Sequence, residues 1–283
     1  MIDFDRSLLA YVDRVLLSRD ITADYGSKVR YCCRRFVVWL TYDPGVAGLD
    51  AESVNEFLID LKNQGLRPDT VAGYRRAIIL IWNEAYRARD HSEPPLRVRR
   101  VRTPREPVEA FTLDELRSLL DAASKLTGYF PNGVKRADFW TVAIHSAYAT
   151  GLRRGDLLMV KWADIGADGL LSVCQSKTGY PVTVRLDSGA REARARITID
   201  DGRLLPWPFH PNALSRQFLA IAKLAGVRPG QFRWLRRSAG SYAESEHRGD
   251  GRRLLGQRSE RVFRDFYEVA SITSPQPVEP PGL

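Results

Sequence analysis

Between Pro94-Pro95 and Pro107 the chain carries Leu96-Arg97-Val98-Arg99-Arg100-Val101-Arg102-Thr103-Pro104-Arg105, a stretch with no helical period. Proline fixes φ and lacks an amide donor, so neither a helix nor a central strand runs through such a segment. The stretch therefore reads as a linker, and the 283 residues as two domains rather than one core. The boundaries it implies are a first domain over 1–95, a linker over 96–108, a second domain over 109–270 and a proline-rich tail over 271–283. A proline-flanked arginine run is either a solvated connection or a segment that tracks a polyanion's backbone, with Arg99, Arg100 and Arg102 doing the tracking.

Composition narrows the partner. Lys and Arg number 43 against 34 Asp and Glu, a formal net charge of +9, and arginine far outnumbers lysine. That balance suits a partner bound through phosphates, with nucleic acid the first expectation. Only Cys32, Cys33 and Cys174 occur, without metal-ligand spacing, so neither a disulfide framework nor a zinc site is indicated. The start, Met1-Ile2-Asp3-Phe4-Asp5-Arg6, is acidic where a signal peptide is basic, and no apolar run reaches membrane-spanning length. The expectation is a soluble cytoplasmic protein.

In the first domain, apolar residues recur at helical spacing from Ser7 to Leu17, and again after Thr22 with Tyr25, Val29, Cys32, Phe36, Val37 and Leu40 on one stripe. Asp50 is placed to cap a third helix bearing Val54, Phe57, Leu58 and Leu61. Pro68-Asp69-Thr70 opens a fourth, with Val71, Tyr74, Ile78, Ile81 and Ala85 inward and Arg75 and Arg76 outward. A four-helix bundle follows. The second domain begins with the capping-box order Thr112-Leu113-Asp114-Glu115, and a long apolar helix over 137–149 leads to the turn Thr150-Gly151-Leu152-Arg153-Arg154-Gly155-Asp156. Two strand-like segments, 169–175 and 181–186, flank Ser176-Lys177-Thr178-Gly179-Tyr180, giving a hairpin with a lysine at its tip. Helices are expected again over 213–225, 234–244 and 252–255.

The arginine turn, the Ser176-Lys177-Thr178-Gly179 hairpin, Arg233-Trp234-Leu235-Arg236-Arg237-Ser238, Leu254-Leu255-Gly256-Gln257 and a tyrosine ten residues later stand in one order. Together they resemble the tyrosine recombinase, or phage integrase, family, and the first domain is similar to that family's core-binding domain. The resemblance implies a mainly α architecture: an N-terminal four-helix SAM-like domain, then an α+β catalytic domain with a small antiparallel sheet, the DNA breaking-rejoining fold. It implies Arg153 and Arg236 as the two catalytic arginines, Asp156 as the acid supporting the first, Lys177 as the hairpin lysine and Tyr267 as the nucleophile. Arg75 and Arg76, with the linker arginines, are the expected DNA contacts. Double-stranded DNA is the implied partner, bound by a protein that is monomeric in solution and tetrameric on paired sites at the nucleoid, and no metal or other cofactor is implied.

These residue types suit phosphodiester chemistry. Paired guanidiniums span two nonbridging oxygens and follow their growing charge, and an ammonium protonates the departing 5′ oxygen. A phenol, with an ordinary pKa of about 10, forms a covalent phosphotyrosine that conserves the bond for rejoining. Tyr242 and Tyr180 are nearby rivals; the first reads as core and the second as a hairpin residue. Two positions depart from the family pattern: Arg233 stands where histidine is usual, and Gln257 where histidine or tryptophan is usual. Three readings follow: Arg233 acidifies the tyrosine while both residues still bind phosphate, His247 substitutes as base, or the chain is a catalytically silent DNA-binding protein. A type IB topoisomerase is a further reading.

Overall fold

The structure, a computed structural model, describes residues 7–19, 21–104, 106–198 and 201–273. Arg105, the first six residues and the last ten of the tail lie outside the described residues. The chain divides into two compact units, 1–106 and 107–283.

The first unit is built from α1 (Leu8–Ser18), α2 (Ala23–Leu40), α3 (Ala51–Asn63) and α4 (Pro68–Ala88). Ser7 caps α1 by accepting from the Ala10 amide, Asp50 caps α3 through the Ser53 amide, and Pro68 occupies the first turn of α4, where its missing amide costs nothing. The expected inward face of α4 is buried throughout, at Val71, Tyr74, Ile78, Ile81 and Ala85. Phe57 lies against Phe36 at 5.3 Å and meets Tyr74 edge-on at 5.7 Å, joining α2, α3 and α4 in one aromatic core. The stripe expected on α2 is displaced. Gly26 is buried against Leu16 while Tyr25, a helical step of about 100° away, is 46% exposed, and Val37 and Leu40 are only half-buried.

The arginine run begins as part of this unit. Val98 is buried in the bundle core and Val101 packs on it. Asn55 clasps the backbone, donating to Arg97 O at 3.2 Å and accepting from the Arg99 amide at 2.8 Å. Arg75 completes the clasp: it is half-buried and donates to Arg99 O at 2.7 Å and Val98 O at 3.0 Å. Its expected outward orientation is therefore corrected, because two unpaired linker carbonyls recruit the guanidinium. The division between the units falls after Glu106, within the 96–108 stretch, and the alternating valines give the first part of that stretch a side that packs on the bundle.

The second unit runs α5 (Leu113–Ser124), α6 (Arg136–Thr150), α7 (Arg154–Met159), a short 3-10 turn (Trp162–Asp164), β1 (Leu170–Cys174), β2 (Pro181–Arg185), α8 (Ser188–Ala195), α9 (Pro211–Leu224), α10 (Arg233–Glu246), α11 (Asp250–Leu254), α12 (Glu260–Phe266) and α13 (Ala270–Thr273). Thr112 and Glu115 form the reciprocal capping box of α5. Helix α6 is the central element, burying Phe139, Trp140, Ile144 and Ala147 on successive faces. The strands pair antiparallel with Leu171 opposite Val184 and Val173 opposite Val182, and Leu171, Val182 and Val184 reach the core. The whole is mainly helical with one small antiparallel sheet among the described residues. Helices α8 and α12 are additions to the expected elements: Asp187 and Ser259 cap them, but each is short and buries few side chains, Ala190, Ala193 and Arg194 in one and Phe263 in the other, which leaves little period to read. The described residues of the tail, 271–273, belong to the short helix α13. No described helix is long and apolar enough to cross a membrane.

Candidate active site

Five segments of the second unit converge, and local chemistry positions each. Gly151 ends α6 with φ +59°, and a Cβ there would meet Leu255 Cδ2 at 2.6 Å, so only glycine both turns the chain and admits the 255–257 loop. The buried Thr150 hydroxyl donates to Ser146 O at 2.6 Å and accepts from the Leu152 amide at 3.2 Å, which fixes the exit path. Arg153 follows as the N-cap residue of α7. Arg236 projects from the first turns of α10, Gln175 from the end of β1, Gln257 from the loop after α11, and Tyr267 from the end of α12.

Arg236 is 5% exposed and donates through Nη1 to Gly151 O and through Nη2 to Leu255 O at 2.9 Å. Arg153 donates through Nη1 to Gln175 Oε1. Turned so that its oxygen faces the guanidiniums, the Gln257 amide accepts from Arg153 Nη2 at 3.1 Å and Arg236 Nη2 at 2.9 Å. The two arginines are thus held side by side by neutral acceptors. Burial pushes the Arg236 guanidinium down to about 10, with Tyr267 opposing the shift and Arg153 adding to it; it stays charged at neutral pH. Its Nε is buried with no hydrogen-bond partner.

Tyr267 lies under this pair. The Arg236 guanidinium carbon is 5.0 Å from the tyrosine ring centroid. Burial pushes the phenol up, but the charges of Arg236 and Arg153, together with their hydrogen bonds to it, bring it below the ordinary tyrosine value. The backbone around it is pinned from α10: Ser241 Oγ donates to Tyr267 O at 3.0 Å and accepts from the Val269 amide at 3.0 Å, while Arg237 Nε donates to Phe266 O at 3.2 Å.

Asp156 does not chiefly hold Arg153. Its buried Oδ1 accepts from the Ser176 amide at 2.9 Å and the Ser176 hydroxyl at 2.6 Å, whereas Oδ2 lies 4.0 Å from Arg153 Nη1. From the first turn of α7 the carboxylate faces the hairpin, so it anchors that loop, and Gln175 takes the arginine. Lys177 is exposed at the hairpin tip and is not brought into the cluster. Arg233 is exposed one turn before Arg236; it adds to the burial that lowers Arg237. His247 caps the far end of α10, roughly 16 Å along the axis from Arg236 at 1.5 Å per residue, and pairs loosely with Asp250 at 4.0 Å. It is out of reach as a base for Tyr267. Tyr242 is half-buried with its hydroxyl accepting from the Leu113 amide at 3.1 Å, and Tyr180 lies under Arg258 on the hairpin.

Gln175 and Ser241 carry much of this geometry without having stood out in the sequence. Gln175 had one legible signal: strand alternation places it on the same face as Leu171 and Val173, and it is fully buried. In the first unit, Arg76, Arg99, Arg100 and Arg102 are exposed, while Arg75 is engaged with the backbone.

No protein-family model matches the chain, and no curated protein matches it in sequence. Solved structures do match. A lambda integrase (residues 75–356) dimer bound to a COC′ core site is 20% identical with a TM-score of 0.74, over 98% of this chain and 99% of that one. A lambda integrase tetramer bound to a Holliday junction is 22% identical with a TM-score of 0.70, over 92% and 80%. The Tn1549 transposon integrase (residues 82–397) in complex with circular intermediate DNA is 11% identical with a TM-score of 0.67, over 95% and 98%. The chain has the fold of these integrases across nearly its whole length.

Proposed function

We propose that this chain is a tyrosine-type site-specific DNA recombinase that cuts and rejoins strands through a 3′-phosphotyrosine. The observation that carries the reading is the half-buried phenol of Tyr267, lying beneath two guanidiniums that neutral amides hold in register and lowered by their charge. The hydrogen-bond acceptors of both guanidiniums are uncharged and the Asp156 carboxylate comes no nearer to Arg153 than 4.0 Å, which leaves most of the positive charge for an anion.

In the proposed reaction, Arg153 and Arg236 bind the nonbridging oxygens of a phosphodiester, and the unpartnered Nε of Arg236 is a spare donor. Tyr267 loses its proton, its oxygen bonds to phosphorus, and the P–O5′ bond breaks. Lys177, seated when duplex DNA covers the hairpin, gives the 5′ oxygen its proton. Attack by a 5′ hydroxyl then reverses the steps and frees the tyrosine. The guanidiniums of Arg236 and Arg153 bring the phenol below its ordinary value against the opposing effect of burial, so in this reading their field takes the role a base would play, and the proton passes to solvent. Arg76, Arg99, Arg100 and Arg102 supply phosphate contacts from the first unit, and assembly on paired sites as a homotetramer completes the reading. Arg233 and Gln257, which stand where the family pattern has histidine or tryptophan, motivate the second reading, a DNA-binding protein with silent chemistry.

Covalent trapping on nicked duplex fragments of the source organism's DNA separates them. If Tyr267 is the nucleophile, wild type retains DNA after boiling in detergent and Tyr267→Phe does not, although both bind natively. Equal native binding with no retained DNA in either protein establishes the silent reading instead.

A further inference from the structure

Gln175 is fully buried, and every polar atom of its carboxamide is engaged. Its Oε1 accepts from Arg153 Nη1 and from Thr178 Oγ1 at 3.3 Å, and its Nε2 donates to Leu255 O at 3.0 Å. Leu255 O is the same carbonyl that Arg236 Nη2 holds. The residue beyond it, Gly256, has φ +58°, and a Cβ there would lie 2.6 Å from Gln175 Nε2 and would also strike Val182 Cγ1. One amide therefore touches the first arginine, the turn that carries Lys177, and the loop that carries Gln257. The second arginine meets it through a shared carbonyl.

Its chemistry matters as much as its place. A carboxylate at this position would orient Arg153 more strongly but neutralise it; an apolar side chain would leave the charge and lose the orientation. A carboxamide orients without neutralising. Thr178 on the same oxygen links this to the hairpin, whose other anchor is the Ser176–Asp156 pair.

We infer that Gln175 is a positioning residue for the reaction: it sets the Arg153 guanidinium against the nucleophile and couples it to the seating of the Lys177 hairpin. This rests on the recombinase reading, and it concerns a residue that touches neither Tyr267 nor, in that reading, the phosphate.

Two variants test it in the full-length protein. Gln175→Glu keeps shape and the acceptor for Arg153 but adds a charge and loses the donor to Leu255 O; Gln175→Met keeps volume and removes all three hydrogen bonds. The readouts are the single-turnover rate of covalent attachment to nicked duplex fragments, and the phenolate absorbance titration of Tyr267, taken as the difference from the matching Tyr267→Phe protein. Gln175→Glu is expected to move the Tyr267 titration upward, because its carboxylate opposes Arg153, while Arg236 on α10 remains in place. Both variants are expected to attach DNA about 100-fold more slowly, the usual consequence of a misplaced catalytic group. A purely structural role would slow attachment only as far as melting falls and would leave the Tyr267 titration of the still-folded Gln175→Glu protein where it was. An unmoved titration overturns the inference, as does wild-type attachment by both variants. If wild type itself attaches no DNA, the recombinase reading fails first, and the titration alone still decides whether Gln175 governs the field at Tyr267.

Discussion

Replacing Arg236 by lysine isolates what the guanidinium fork does for the fold before any chemistry is measured. The positive charge is retained, so the comparison is one of geometry. Arg236 serves Gly151 O and Leu255 O with two different nitrogens, from a site 5% exposed. An ammonium on a shorter stem reaches one of them. Leu255 O keeps a bond from Gln175 Nε2, whereas Gly151 O loses the donor that Arg236 Nη1 gives it. Orphaning a buried carbonyl costs about 1–3 kcal/mol, and a charge-assisted bond contributes about 1.5 kcal/mol, so the loss is about 3 kcal/mol. The second unit should therefore open about 100-fold more often, at 1.36 kcal/mol per tenfold. Hydrogen exchange of the slowest amides in α6 and α10 reads that unit separately from the helical bundle. Arg153→Ala provides the contrast: it leaves no backbone carbonyl without its donor, and it should cost about 1 kcal/mol. Equal exchange rates in Arg236→Lys and wild type, or a larger effect from Arg153→Ala, would refute the assignment of Arg236 as the clasp between the 151 turn and the 255 loop.

Three further substitutions probe the supports of the site. Ser241→Ala removes the hydroxyl that holds both Tyr267 O and the Val269 amide, so exchange at residues 267–270 should rise, with a local cost of about 1–3 kcal/mol and little change in the bundle. Gly256→Ala combines φ +58° with the contacts on Gln175 and Val182, and thermal melting should fall by about 2–4 kcal/mol equivalent, more than Gly179→Ala, whose Cβ would meet nothing within 4 Å. Asp187 caps α8 through the Ala190 amide and binds His145 at 2.8 Å; burial raises its carboxyl, but the His145 and Ala190 hydrogen bonds prevail and hold it below the ordinary value. Its contribution is therefore present above the unfolded carboxylate value of about 3.9 and is lost as pH falls through the lower folded value. Asp187→Asn should flatten that acid limb in urea-unfolding midpoints measured against pH; an unchanged limb would show that the pair contributes nothing.

The order of elements was legible in the chain because it depends on local rules. The period of 3.6 in α1 to α4, the caps at Ser7, Asp50 and Thr112, and the glycine at 151 act within a few residues of themselves. Arg153, Arg236, Gln257 and Tyr267 could be singled out by type and order, yet their order says nothing of distance. Folding brings Arg153 and Arg236 over the phenol of Tyr267 with Gln257 bridging the two arginines, and leaves Lys177 at a solvent-exposed tip and Arg233 exposed. Two roles were exchanged for the same reason. The resemblance gives Asp156 to Arg153, but its Oδ1 accepts from the Ser176 amide and hydroxyl while Oδ2 stays 4.0 Å from Arg153, because the first turn of α7 aims the carboxylate at the hairpin. Arg75 was read as outward from the helical wheel, and the unpaired carbonyls at 98 and 99 drew it inward. The sequence by itself determined which segments become helices and hairpin, through propensity, capping and periodicity. Only the tertiary structure decided which buried donor meets which acceptor, because those bonds join residues 19 positions apart, as in Arg236–Leu255, and as many as 85 apart, as in Arg236–Gly151, and no local pattern encodes such separations.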